Sequence, residues 1–179
     1  EEPPDNTVII IICHNKRMIP KTIVSRCINL DFRPLTINEL RKFCHLNEVN
    51  LDNFDLDNNR NLVGGSIEKL LLFIDPGGML IKNKLEKIIN SNELSFSEFE
   101  KFFEVISANY HKNIKIIYDC IYANQKNKYL KNINNKNVLR RILKFFSNIE
   151  LFTKHNLNIE KKKELYFLLT EYMETNLYE

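Results

Sequence analysis

Few residues in this chain have the type and spacing that chemistry needs. One arginine, Arg26, closes the string Pro20-Lys21-Thr22-Ile23-Val24-Ser25-Arg26-Cys27. A guanidinium is planar, permanently charged and able to hold two oxygens at once, which suits carboxylate or phosphate recognition. Taken as an isolated triplet, Ser25-Arg26-Cys27 reads as a surface ion-pairing arginine. Gly64-Gly65 is a weak candidate for a phosphate-binding turn, because no Lys-Ser or Lys-Thr follows it as a Walker-type loop requires. Cys13, Cys27, Cys44 and Cys120 are scattered and form no Cys-x-x-Cys pair. They fit reduced, mostly buried thiols in a cytoplasmic protein better than a zinc site or a disulfide scaffold. No metal site is expected. No hydrolytic triad or paired-carboxylate site stands out, and His14, just after an apolar run, reads as a local hydrogen-bonding residue.

The elements that must position these residues divide the chain. Val8-Ile9-Ile10-Ile11-Ile12 is continuously β-branched, the pattern of a parallel strand covered on both faces. Pro20 suits the first turn of a helix over about residues 20–25, since its missing N–H costs nothing there. Ile28-Asn29-Leu30-Asp31-Phe32 alternates as a strand does, and Arg33-Pro34 ends it. Everything after Pro34 reads as helical. Thr36-x-x-Glu39 and Ser95-x-x-Glu98 are capping boxes. Leu40, Phe43 and Cys44 share one helical face, as do Ile67, Leu70, Leu71 and Ile74. Asp75-Pro76-Gly77-Gly78 reads as a turn before a helix over residues 79–90, with Leu85, Ile88 and Ile89 inward. Further stripes fall at Phe96, Phe99, Phe103 and Ile106; at Ile114, Ile117, Tyr118 and Ile121; at Leu139, Ile142, Leu143 and Phe146; and at Leu165, Leu168, Leu169 and Tyr172. Such stripes bury against one another in a bundle.

Composition sets outer limits. The 179 residues suffice for one ordinary domain or two to three small ones. No apolar run approaches the roughly 20 residues of a membrane helix, and no secretory signal is visible. The opening Glu1-Glu2-Pro3-Pro4 reads as a chain cut from something longer. A net charge of +3 does not by itself imply nucleic acid. Its distribution is more telling. Between Lys112 and Lys144 lie nine basic residues (Lys112, Lys115, Lys126, Lys128, Lys131, Lys136, Arg140, Arg141, Lys144) against Asp119 alone, with Tyr110, Tyr118, Tyr122 and Tyr129 interleaved. A solvated face, or one matched to an acidic partner, is the ordinary reading of such a run; nucleic acid is the alternative.

The order of motifs from Glu1 to Leu35 resembles one segment of the bacterial clamp-loader AAA+ subunits, most closely those of the delta-prime type of DNA polymerase III. That segment has a Glu-Pro-Pro helix end, an apolar strand with a polar sensor 1 position, a Pro-Thr-Ile-x-Ser-Arg-Cys helix, and a strand ending Phe-x-Pro-Leu. The matching residues are Glu2-Pro3-Pro4, Val8 to Ile12, Pro20 to Cys27 and Phe32-Arg33-Pro34-Leu35. A more loosely similar stretch is Phe146 to Lys162, which includes Asn156-Leu157-Asn158 and is like the last helix pair of delta-prime proteins.

The resemblance implies a mostly α chain: residues 1–35 as the end of an α/β AAA+ core with two strands and a short helix, 36–92 as a helical lid, and 93–179 as a helical collar for oligomerisation. It implies that Arg26 is an arginine finger acting in trans on ATP-Mg held by a neighbouring subunit, with Ser25 and Cys27 placing it. His14 falls near the sensor 1 position. Motor subunits carry Gly-Ser-x-Arg at the sensor 2 helix; here the string is Gly65-Ser66-Ile67-Glu68. A carboxylate repels phosphates, and Lys69, one position on, points about 100° away. Hence no bound cofactor and no independent catalysis are expected of this chain. It is expected in the DNA-directed DNA polymerase holoenzyme as a partner of other clamp-loader subunits and, through the complex, of the sliding clamp and primed DNA. The alternatives are a fragment of a gamma/tau-type motor ATPase and a helical adaptor unrelated to ATP.

Overall fold

The computed structural model describes residues 4, 6–91, 94–155 and 160–176. Glu2-Pro3 and Asn156-Leu157-Asn158, both used in the sequence comparison above, lie outside the described residues. The protein is mostly helical, with 68% of the described residues in helices, and divides into two compact units, Glu1–Arg33 and Pro34–Glu179.

Among its described residues the first unit holds a 3-10 turn, Lys16–Met18, and the short helix α1, Lys21–Val24. The two expected strands are not formed: residues 8–12 and 28–32 have no regular secondary structure. Their apolar side chains are left in solvent, with Val8 86%, Ile12 87% and Phe32 92% exposed. The reason is physical. A β-branched run becomes a strand only when neighbours take up its N–H and C=O groups and helices cover its faces. Within this unit the two runs do not pair.

The second unit contains α2 (Ile37–Leu46), α3 (Arg60–Val63), α4 (Ile67–Ile74), α5 (Pro76–Asn90), α6 (Phe96–Ser107), α7 (Tyr110–Lys131), α8 (Lys136–His155) and α9 (Lys161–Asn176). Its starts are set by local chemistry. Thr36 Oγ1 accepts from the Glu39 N–H at 3.3 Å, while the Glu39 carboxylate accepts from the Thr36 N–H at 2.8 Å. Ser95 accepts from the Glu98 N–H, but its hydroxyl donates to the Glu98 carboxylate, so this second box closes through side chains. Gly64 ends α3 with φ +59°, a conformation that favours glycine. Gly65 (φ +75°) then passes so close to Leu35 that a Cβ would sit 2.6 Å from its carbonyl oxygen. The glycine pair is thus a helix stop and a close crossing.

The 22-residue α7 is the axis of the unit. It packs against α3, α5, α6, α8 and α9. Around it Val63, Leu70, Phe73, Leu85, Ile106, Ile116, Ile117, Leu165 and Leu169 are buried. Two expectations change here. The Asp75–Gly78 stretch is not a free turn: Pro76 opens α5, and Gly77 and Gly78 lie in its first turn. Leu71, Phe96 and Leu143, expected inward, are 44%, 75% and 68% exposed. Phe73 and Phe145, two positions after Leu71 and Leu143, are buried instead, as is Phe102, one position before the expected Phe103. A shift of one or two positions turns a side chain by about 100–200°, enough to exchange one face for the other.

Candidate functional site

The candidate site is the turn that closes α1. Pro20, at φ −53°, fixes the chain's entry into the helix, and its carbonyl accepts from the N–H groups of Ile23 and Val24 at 3.0 and 3.1 Å. The Ser25 N–H then donates to the Lys21 carbonyl (2.9 Å), the Arg26 N–H to Ile23 (3.1 Å) and the Cys27 N–H to Val24 (3.3 Å). The Ser25 hydroxyl adds a tie to the Thr22 carbonyl at 3.0 Å, and Asn29 Nδ2 donates to the Cys27 carbonyl at 3.4 Å. Ser25, Arg26 and Cys27 therefore share one hydrogen-bonded turn, and all three are exposed. The backbone carrying Arg26 is held even though the helix has only four residues.

His14 is exposed in the same unit. Its neighbour Asn15 caps the 3-10 turn, its Oδ1 accepting from the Arg17 N–H at 3.1 Å. Of the cysteines, Cys13 and Cys27 are exposed while Cys44 and Cys120 are buried. Burial pushes the Cys120 thiol up to about 12, and the Cys44 thiol also upward. Among the described residues no cluster of His, Cys, Asp or Glu could hold a metal ion. No helix among them is long and apolar enough to cross a membrane.

The Ser66–Lys69 stretch next to the glycine pair has its own partners. Ser66 caps α4 by accepting from the Lys69 N–H at 3.3 Å. Glu68 pairs with Lys115 at 2.5 Å, and Lys69 with Asp119 at 2.5 Å. Asp75 meets Lys112 at 3.5 Å. Lys115 holds the Glu68 carboxyl below the usual carboxylate range, through a hydrogen bond and charge. These pairs form a seam from α4 and the Asp75 junction onto α7. In it Glu68 and Lys69, adjacent on α4, reach residues about one turn apart on α7.

The opening segment carries the link to known proteins. Residues 1–36 match the family model described as DNA polymerase III, delta subunit. That match spans 36 of the 179 residues and includes the whole Arg26 turn. It supports a relationship to the DNA polymerase III clamp loaders and a clamp-loader-related role. No curated protein and no solved structure matches the chain.

Sequence reasoning missed two features of the second unit. One is the ion-pair seam, whose partners lie 37 to 50 residues apart. The other is a phenol cluster. The Tyr110 hydroxyl lies 2.7 Å from the Glu164 carboxylate and 2.9 Å from the Lys161 carbonyl, and the Tyr118 hydroxyl donates to Glu164 at 3.2 Å. Burial, followed by the Glu164 carboxylate, raises both phenols above their ordinary value. Tyr110 and Tyr118 are two turns apart on α7, a spacing that can be read locally; the acceptor on α9 cannot.

Proposed function

We propose that this chain is a delta-prime-type subunit of the DNA polymerase III clamp loader, which presents Arg26 in trans to ATP-Mg bound by a neighbouring subunit. In this role it helps to open the sliding clamp and place it on primed DNA. The observation that carries the reading is the match over residues 1–36, because that stretch contains the entire string from Pro20 to Cys27. Phosphoryl transfer spreads negative charge over equatorial oxygens, and an arginine supplied by a neighbour raises the rate by roughly 10³–10⁵. Such a group must arrive pre-positioned. The hydrogen bonds from Pro20 through Cys27 supply a fixed backbone, and Ser25 reinforces it from the side chain.

Two further observations support the assignment. Glu68 stands where a motor subunit carries its sensor 2 arginine, and it is engaged by Lys115. This counts against the gamma/tau-type alternative. The exposed apolar runs 8–12 and 28–32 have the composition of strands that lack neighbours, as the edge of a larger α/β core would. α6 to α9 are the proposed collar through which subunits assemble.

The test is Arg26→Ala in a reconstituted loader. Assembly is expected to stay intact while DNA-stimulated ATPase falls at least about tenfold, since the lost term is a transition-state contact. Wild-type ATPase and clamp loading from the variant complex would remove the finger assignment.

A further inference from the structure

The basic stretch noted in the sequence is two surfaces, and the structure separates them. At the start of α7, Lys112 and Lys115 are neutralised by Asp75 and Glu68. Beyond them the character changes. Residues 120–149 contain seven Lys and Arg and no Asp or Glu, a charge of +7 in a chain whose total is +3, so the remainder is net −4. Lys128 is turned inward, its Nζ donating to the Thr175 carbonyl at 3.3 Å and to Asn176 Oδ1 at 3.1 Å. Lys126, Lys131, Lys136, Arg140 and Lys144 are all exposed.

Helical spacing gathers these groups. Lys136, Arg140 and Lys144 follow one another by four positions along the outward face of α8, opposite the buried Ile142 and Phe145. On α7, Tyr122, Lys126 and Tyr129 fall at i, i+4 and i+7, again on the outward face. The two rings are 55% and 42% exposed. Their Cα atoms are separated by about two turns, ~10.5 Å along the axis. The Tyr122 ring is steadied by Phe146, edge to face with centroids 6.0 Å apart. Between the helices, the loop from Lys131 to Asn137 lines an open depression of about 570 Å³, rich in asparagine amides.

We propose that this outward end of the α7–α8 hairpin is a binding surface for single-stranded DNA. Phosphates would lie along the cations of α8 and on Lys126, and unpaired bases would stack on Tyr122 and Tyr129. Cations alone would suit any polyanion. The rings favour single strands, because every unpaired base offers a π-face whereas carboxylates offer none and a duplex keeps its bases stacked inside. Stacking platforms beside a positively charged track are how sequence-tolerant single-strand binding works. The choice of DNA over RNA rests on the replication role proposed above; the surface itself does not.

The test is fluorescence anisotropy of a labelled oligo-dT of about 20 nucleotides with the 179-residue chain, titrated between about 50 and 200 mM salt. Binding is expected, with log K falling against log salt at a slope of about −2 to −3.5, as three to five phosphate contacts imply. Tyr122→Ala and Tyr129→Ala should each weaken binding by about 5- to 150-fold with the slope unchanged. Phe at either position should restore it. Lys126→Glu with Arg140→Glu should weaken binding and flatten the slope. Tyr129, near the helix end, covers the case in which loss of the Tyr122 ring unfolds the hairpin, and far-UV melts report which variants fold. Four results would overturn the proposal: no binding at low salt, equal affinity for duplex, competition by poly-glutamate as effective as oligo-dT, or alanine variants that bind as the parent does. Tighter binding of oligo-rU would overturn the choice of DNA. The assay needs neither ATP nor partner subunits, so its outcome is independent of the Arg26 test.

Discussion

Gly77 and Gly78 are neighbours in the first turn of α5, yet the structure assigns their alanine variants opposite effects. A Cβ on Gly78 would stand 2.0 Å from the carbonyl oxygen of Leu72 and 3.1 Å from its carbonyl carbon. Ordinary contact begins near 3.4 Å, so the clash is about 1.4 Å deep and meets backbone, which has no rotamer with which to escape. The close approach has a local cause. The residue four positions after Leu72 is Pro76, which has no N–H to offer that carbonyl, and α5 starts there and folds back over the end of α4. Separating the two helices would also loosen α5 on α7, its largest neighbour. Overpacking by one methyl in a place without slack costs about 3 kcal/mol, at the upper end of the usual range. Replacing glycine within a helix returns up to about 1 kcal/mol. The expected net loss for Gly78→Ala is therefore about 2 kcal/mol, or a fall in Tm of about 4–8 °C for a unit of this size.

Gly77 is the control. Its added Cβ would meet only the Asp75 Oδ2 at 3.0 Å, the tip of an exposed side chain that can swing aside. Gly77→Ala should leave stability unchanged or raise it by up to about 1 kcal/mol. Urea and thermal denaturation followed by far-UV circular dichroism measure both, with equal m-values required before the midpoints are compared. A Gly78→Ala protein that melts at or above the parent temperature would refute the α4–α5 crossing, and with it the placement of Glu68 and Lys69 over α7.

The other predictions concern the seam and the phenols. Asp119→Ala strands Lys69 at a site where the Asp119 side chain is only 13% exposed, and should cost about 1–2 kcal/mol. Glu68→Ala breaks a pair whose side chains are 74% and 52% exposed, and the midpoint should not move measurably. Equal losses in the two variants would contradict the burial difference. Tyr110 and Tyr118 hold their protons in the folded state above the value near 10 at which an unfolded phenol releases its own. Their contribution is thus fully present below about pH 10 and is lost as pH rises from there through the raised folded values. The expected slope is up to about 1.4 kcal/mol per pH unit for each phenol, and Tyr110→Phe should make it shallower. An unchanged alkaline slope would show that the phenol is not held as described.

What could be read from sequence here was whatever is decided within one or two helical turns. The Thr36 and Ser95 caps, the helix spans and most buried stripes depend on neighbours in the chain, and they form. The Arg26 turn is local in the same sense, since its bonds run from Pro20 to Cys27. Val8 to Ile12 has a strand's composition but no strand, because pairing depends on partners elsewhere. Asp75-Pro76-Gly77-Gly78 carries turn residues, yet Pro76 serves as a helix start and Gly78 as a close contact with α4. The inward face of α4 includes Phe73 rather than Leu71 because α5 folds over its end, which no periodicity within α4 reveals. The seam from Glu68 and Lys69 to α7 joins residues about 50 positions apart, beyond any local pattern.

The two functional claims rest on different physical grounds in different parts of the chain. The role proposed for Arg26 requires charge that lies in another polypeptide, so its support is the match over residues 1–36 and the fixed backbone of its turn. The α7–α8 surface needs no relative to support it. Along α7 the early cations are consumed by Asp75 and Glu68, whereas the stretch that carries the later ones, residues 120–149, contains no Asp or Glu. Had the whole helix served only to hold the bundle together, acids opposite the later cations would have cost little and removed their mutual repulsion. Their absence over thirty consecutive residues, 120–149, with two tyrosines exposed among them, is the pattern that a polyanion with stackable faces would complete.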